Sequence, residues 1–205
     1  VGAVARADPD GYTVLVNSSA HAIAPALHPN LAYHPSRDFA AVTPLGVTPF
    51  VLVVSPARGF RTARELVAAA AAKQGAFNFS SPGVGTASHL SGERFLSSAG
   101  VQAVHVPFKG MGQAVPALVG GQVQFIFSAL PAIAGFVKDN RVKLLAQNSN
   151  KRFSQAPTVP TIGEATIPGF DFAPTTIVMA PAGTPAAVLR QLSADVAQAI
   201  RTPAV

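Results

Sequence analysis

The sequence contains no cysteine, which excludes disulfides, thiolate metal sites and a cysteine nucleophile, and fits a reducing or an oxidising compartment equally. Tryptophan is absent as well, and aromatics make up only 7% of the residues. A nucleic-acid groove interleaves clustered positive charge with stacking platforms, so no nucleic-acid partner is expected. Charge is scarce at 12%, but it accompanies a hydrophobic fraction of 49%, the reverse of a disordered composition. No apolar run reaches the roughly 18–20 residues of a membrane-spanning helix. Val51 to Val54 and Phe125 to Phe127 have the length of buried strands.

Acidic residues are the rarer sign, nine against 15 Lys and Arg, giving a formal net charge of +6. A positive field attracts anions of many kinds, from nucleic acid to carboxylates. The cations are scattered, however, and the densest group, Arg58, Arg61 and Arg64, leads into a helix and reads as a solvated face. No two carboxylates sit at a spacing that suggests acid–base chemistry; Asp8 and Asp10 serve a turn. The five histidines (His21, His28, His34, His89 and His105) include no His-x-x-x-His pair with an intervening Glu, so neither a metal site nor a cofactor is expected. The opening Val1–Arg6 lacks a charged stretch followed by an apolar one, and there is no initiator Met. The expectation is a processed or truncated product.

A chain of 205 residues can build one domain or two small ones. Strand and helix signals alternate along it, the pattern of a mainly parallel α/β sheet. Asp10-Gly11 marks a turn before a strand over Tyr12–Val16, with the polar Asn17-Ser18-Ser19 at its carboxyl end. Pro25 to Phe39, rich in Pro, His and Asn, reads as a loop with at most short helical turns. Val51–Val54 is a continuous apolar strand covered on both faces. Thr62 and Glu65 have capping-box spacing, with Gly75 closing the helix they open. A strand at Phe77–Phe79 leads through the loop Ser80–Thr86 into a helix from Ala87 to about Ser97, ended by Gly100. Val104–Pro107 is extended, Gly110–Gly112 opens a further helix, and Val123–Phe127 and Val142–Ala146 are strands around a short helix at Ile133–Val137. After a strand at Ile177–Ala180, Thr184-Pro185 starts a last helix, on which Leu189, Leu192, Val196 and Ile200 form a buried stripe.

Chemistry concentrates at strand-to-helix turns. In Ser80-Ser81-Pro82-Gly83-Val84-Gly85-Thr86-Ala87-Ser88-His89, a Gly-rich loop opens a helix whose first-turn N–H groups, with the dipole behind them, suit an anion. Ser81, Thr86 and Ser88 add hydroxyls, and Gly85 permits close approach of a ligand to the backbone. The loop is neither a Walker loop nor a dinucleotide fingerprint; a plain capped turn is the competing reading. Phe108-Lys109-Gly110-Met111-Gly112 and Asn17-Ser18-Ser19 are two further anion-friendly turns, and ligands in open α/β folds gather at the carboxyl ends of strands. Ser81 or Ser88 beside His89 suggests a serine hydrolase, but no Gly-x-Ser-x-Gly elbow occurs, and no catalytic residue is assigned.

Seven landmarks now fall in register: Asp10-Gly11-Tyr12-Thr13-Val14-Leu15; Tyr33-His34-Pro35 with Asp38-Phe39; Ser81-Pro82-Gly83-Val84-Gly85-Thr86 with His89-Leu90; His105-Val106-Pro107-Phe108-Lys109-Gly110; Gly120-Gly121-Gln122-Val123; Val159-Pro160-Thr161 with Glu164; and Ala180-Pro181-Ala182-Gly183-Thr184-Pro185. In these the chain resembles the periplasmic receptors of the tripartite tricarboxylate transporters, the Bug family. The resemblance implies an α/β, type II periplasmic-binding-protein-like fold, with two α/β lobes closing on a ligand in the cleft between them. The expected lobes are residues 1–55 with 170–205, and residues 56–169, the chain crossing near Ser55 and again near Phe170 to Thr176.

The same resemblance implies a non-enzymatic, periplasmic receptor for a small carboxylate, served by a membrane permease as partner. Its ligand-binding residues would be Asn17, Ser18 and Ser19 in the first lobe, and Ser81, Gly85, Thr86, Ser88, His89, Lys109 and Gly110 in the second. Family members carry a strand and a Gly-rich loop with an Asp before the Asp-Gly-Tyr-Thr landmark, and a longer tail, so truncation at both ends is expected. Phe108 stands where Tyr is usual, and Ala173-Pro174-Thr175-Thr176 where an aromatic commonly precedes the Ala-Pro segment. The alternatives from other classes are a serine-dependent hydrolase and a truncated, non-binding or signalling module.

Overall fold

The computed structural model describes residues 1–202, and the chain divides into two compact units: Val1–Thr48 with the segment from Pro174 onward, and Pro49–Ala173.

The first unit is built on a three-stranded antiparallel sheet of β1 (Leu15–Ser18), β2 (Phe39–Val47) and, last in the chain, β8 (Thr175–Pro181), which runs between the other two. The expected strand over Tyr12–Val16 begins later: Tyr12 is 94% exposed, and Asn17 and Ser18 lie inside the strand, opposite Ile177 and Thr176. They are ladder residues rather than a loop beyond it. A short α1 (Gly2–Ala5) precedes the sheet.

The segment after Pro25, expected as a loop with at most short helical turns, is irregular from His28 to Asp38, but its first residues close α2 (Ala20–Leu27), which contains that proline. A proline inside a helix costs about 3 kcal/mol. Tertiary packing offsets it here, because the buried His21 ring stacks on Tyr33 at 5.8 Å and meets Phe39 edge-on at 5.0 Å. β2 was not legible, since Pro44 and Gly46 interrupt it; both sit where its register with β8 slips. A residue missing from a ladder is tolerated at such irregularities.

The second unit holds a five-stranded sheet in the order β5-β4-β6-β3-β7. Its strands are β3 (Phe50–Val54), β4 (Phe77–Ser81), β5 (Ala103–Pro107), β6 (Phe125–Ala129) and β7 (Lys143–Gln147). β4 pairs parallel with β5 and β6, whereas β3 is antiparallel to β6 and β7. The sheet is therefore mixed rather than mainly parallel, because β3 enters from the opposite end. Since β3 pairs wholly within this sheet, the first passage between units precedes it, at Thr48–Pro49, rather than following it near Ser55.

Helices cover both faces: α3 (Ala63–Ala72), α4 (Ala87–Ala99), α5 (Met111–Val119), α6 (Leu130–Lys138) and the one-turn α7 (Ile162–Ala165). The apolar run in β3 has a direct cause. Leu52 and Val54 enter a core with Leu66, Phe79 and Phe95, while Val51 and Val53 enter a second one with Val115, Leu118 and Ile133. A strand sandwiched between two cores has no solvent face, so the two-residue alternation of a one-sided strand disappears.

Helix ends follow ordinary capping chemistry, with two corrections. Thr62 accepts the Glu65 N–H at 3.1 Å, but the Glu65 carboxylate takes the Arg61 N–H at 2.7 Å, not that of Thr62. The complete reciprocal box is Thr161 with Glu164, at the start of α7. Thr184 does not cap α8 (Ala186–Ala199); its hydroxyl donates to the Pro181 carbonyl at 2.8 Å and Pro185 takes the cap position. The stripe on α8 is only half-buried, and Ile200 lies exposed beyond it.

Candidate functional site

Three helices of the second unit start where three strands stop. β4 leads into α4, β5 into α5 and β6 into α6. A helix leaves its first-turn N–H groups without intrahelical partners, and its dipole places partial positive charge there. Thr86, Ala87 and Ser88 from the start of α4, Met111 from α5, and Ala129 and Ala132 from α6 line one cavity of about 250 Å³, which Phe50 and Pro82 complete. Among the described residues no charged side chain lines it. Whatever favours an anion in this cavity must come from backbone N–H groups and helix dipoles.

The Gly-rich loop is held by its own side chains. Ser81 is fully buried; its hydroxyl donates to the Gly83 carbonyl at 2.9 Å and accepts the Gly83 N–H at 3.2 Å. Thr86 donates to the same carbonyl at 2.8 Å, and its oxygen accepts the His89 N–H at 3.4 Å, capping α4. Ser88 donates to the Phe127 carbonyl across the sheet. The three hydroxyl protons are thus directed inward, and the loop offers backbone donors. Gly83 and Gly85 have φ of 144° and 78°, conformations that side-chain-bearing residues rarely adopt.

His89 is buried, and its Nδ1 accepts the Gly85 N–H at 3.1 Å, which assigns the proton to Nε2, 3.5 Å from Glu93 Oε1. His105 packs its ring 4.0 Å from that of His89, and its Nε2 lies 2.7 Å from Ser81 Oγ. Because Ser81 gives its own proton to Gly83, His105 donates and is the Nε2–H tautomer. Burial lowers the pKa of His89 despite the nearby Glu93 carboxylate. Burial, with His89 adding to it, pushes His105 down to about 4. Both rings are neutral at pH 7.

Ser81, Gly85, Thr86, Ser88 and His89 therefore meet in one loop-and-helix junction. Gly110 lies nearby, since the Phe108 N–H donates to the Ser81 carbonyl at 3.0 Å. Lys109 is exposed, its N–H bound to Gln113 Oε1 at 3.2 Å. Asn17, Ser18 and Ser19 belong to the first unit, where Asn17 Oδ1 accepts the Ser18 N–H at 2.8 Å and the Ser19 N–H reaches the Thr175 carbonyl at 2.8 Å. The Ser–His couple considered for hydrolysis is not formed as expected: Ser81 meets His105, and Ser88 meets Phe127, while His89 serves Gly85 and Glu93. Sequence reading missed His105 as a partner of Ser81 and missed the β6–α6 junction. Pro131 in the first turn of α6 was the available signal for that junction.

The sequence matches, over residues 1–205, the family described as the tripartite tricarboxylate transporter family receptor. The chain belongs to that receptor family. It is 36% identical over 203 residues to the UPF0065 protein in the tcbD-tcbE intergenic region of Pseudomonas sp. (strain P51), covering 98% of this chain and 60% of that relative. It thus spans less than two thirds of that relative's length. Among solved structures it is similar to R. palustris Rpa4515 with adipate, with a TM-score of 0.88 and 28% identity over 99% of this chain and 68% of that one. It is likewise similar to MatC (Rpa3494) from Rhodopseudomonas palustris with bound malate, with a TM-score of 0.85 and 32% identity, covering 98% of this chain and 69% of that one. These likenesses fix the fold as that of the α/β periplasmic solute-binding proteins, within a family of receptors.

Proposed function

We propose that this chain serves a periplasmic receptor that captures a small di- or tricarboxylate and presents it to a membrane permease, with no catalytic step. The observation that carries this reading is the convergence of three helix N-termini on a cavity that no charged side chain among the described residues lines. A carboxylate there accepts hydrogen bonds from first-turn N–H groups of α4, α5 and α6, directly or through water. The net charge of +6 assists diffusional encounter with an anion. Adipate and malate, bound by the two structural neighbours, define the size class. Asn17, Ser18 and Ser19 remain the candidate ligand residues of the first unit under this reading.

The test is thermal melting of the refolded, ligand-free chain against a panel of adipate, malate, citrate and other small carboxylates. At a ligand concentration of 100 Kd, mass action adds about 2.7 kcal/mol. For a chain of this size that is a rise of roughly 5–10 °C in Tm. A Tm unmoved by every member of the panel sinks the proposal.

A further inference from the structure

A second and larger cavity of the second unit, about 660 Å³, lies at the opposite end of its sheet from the one just described. The topology fixes this placement. β3 is antiparallel to β6, with Val54 facing Phe125, the first residue of β6. The helix that follows β3 therefore starts at the end of the sheet where β6 begins, whereas α4 and α6 start where β4 and β6 finish. The groove is bounded by the start of α3, the first residues of the edge strand β7, and the segment leading into α7.

Its chemistry is two-tiered. Ala63, Leu144, Leu145 and Ala165 give it an apolar floor, and Arg61, Arg64 and Arg152 stand along its rim. Arg61 binds Glu65 through Nε alone, at 3.3 Å. Arg152 binds Glu164 through Nε at 2.8 Å and the Pro157 carbonyl through Nη1 at 3.1 Å. Both retain guanidinium N–H groups beyond these bonds, since each guanidinium has five. Among the described residues Arg64 has no hydrogen-bond or ion-pair partner. Three cations against two neighbouring carboxylates leave the rim positive.

We infer that this groove is a docking site for an acidic segment of a partner protein, one that carries apolar side chains among its carboxylates. A lone inorganic anion would use the rim and leave the apolar floor wet, whereas an amphipathic acidic peptide uses both. Guanidinium forks match carboxylate geometry and favour such a partner over a diffuse negative field. The groove shares no residue with the three-helix cavity, so the docking stands whether or not that cavity binds a carboxylate.

The experiment is fluorescence anisotropy of a labelled Glu-Glu-Leu-Glu-Glu-Leu peptide titrated with the full chain at low salt. Saturable binding that weakens about tenfold or more in Arg64→Glu, and falls as salt rises, is the expected result. Circular dichroism and thermal melting of the variant establish that it folds. Arg61→Gln, a milder change, is expected to weaken binding in the same direction. Four results overturn the proposal: no binding up to about 1 mM; equal binding of the Gln-Gln-Leu analogue; displacement by inorganic phosphate as readily as by unlabelled peptide, which marks a small-anion pocket; or Arg64-dependent sedimentation with phosphatidylglycerol vesicles in place of peptide binding, which marks a membrane surface.

Discussion

His105 donates through Nε2 to the buried hydroxyl of Ser81, 2.7 Å away, and that hydroxyl in turn holds both the N–H and the carbonyl of Gly83. A neutral histidine is thereby built into the support of the loop that opens α4. The pH dependence follows from its environment. The pKa of His105 falls from 6.5 to about 4 in the folded chain, through burial and then through His89, and that of His89 falls too, through burial. The unfolded chain binds protons at these sites before the folded one does, so acid favours unfolding. Stability is complete above about pH 6.5 and declines as pH falls toward about 4. Tm measured at half-unit steps from pH 7.5 to 4 should fall across this window, and the fall should shrink in His105→Gln. An identical profile in the variant would remove His105 from the account.

The cavity at the three helix N-termini makes a prediction with opposite signs for binding and folding. Ala132 lines it from the first turn of α6 and is itself exposed. An aspartate there sits well with the helix dipole, worth about 0.3–1 kcal/mol of stability, yet it places a carboxylate where the ligand's own carboxylate would bind. Ala132→Asp should keep or raise Tm and weaken carboxylate binding by about tenfold or more, as like charges are brought together. Calorimetric titration with the best ligand of the panel reads this directly. Unchanged affinity would place the ligand elsewhere.

Gly92 is in the middle of α4, yet its importance is not conformational. A Cβ added there would stand 2.8 Å from Cδ2 of Phe79 and nearer still to Cε2. The helix crosses β4 too closely for any side chain. Phe79 cannot move aside cheaply, because it stacks on Phe125 at 5.3 Å and meets His105 at 4.8 Å. Overpacking of this kind costs about 1–3 kcal/mol, more than the ~1 kcal/mol an alanine gains over glycine in a helix. Gly92→Ala should lower Tm by several degrees in a thermal melt; a rise would show that the ring pair has room to shift.

Sequence legibility divided along physical lines. The β3 run, the alternation of strands and helices and the glycine-rich opening of α4 were readable because each is a local pattern. The antiparallel entry of β3 was not, since no residue records which way a buried strand runs. Nor was the joining of His105 to Ser81, which come together only because β4 and β5 pair in register, Ser81 beside Pro107 and Phe79 beside His105. β2 escaped because Pro44 and Gly46 argue against a strand wherever they occur, and only the irregular register with β8 accommodates them.

Asn148 supplies the last prediction, and it too was invisible in the sequence. Its side chain is fully buried at the end of β7. Oδ1 accepts the Phe50 N–H at 3.2 Å, and Nδ2 donates to the Phe172 carbonyl at 2.8 Å and to Ser91 Oγ at 3.2 Å. Its backbone does the same work again, bonding the Phe50 carbonyl at 3.0 Å and the Phe172 N–H at 2.8 Å. One residue thus ties the first strand of the second unit to that unit's last residues. Truncation would leave the Phe50 N–H and the Phe172 carbonyl short of a partner where water has little access, at about 1–3 kcal/mol for each group so stranded. Asn148→Ala should therefore lower the unfolding free energy by about 2–4 kcal/mol. Asn148→Asp keeps the acceptor for Phe50 but sets an anion against the Phe172 carbonyl, and should be at least as damaging. Urea titration of the two variants checks the order. A chain that tolerates Asp better than Ala would show that the donor half of the amide contributes little, and that its hold on Phe50 carries the clamp.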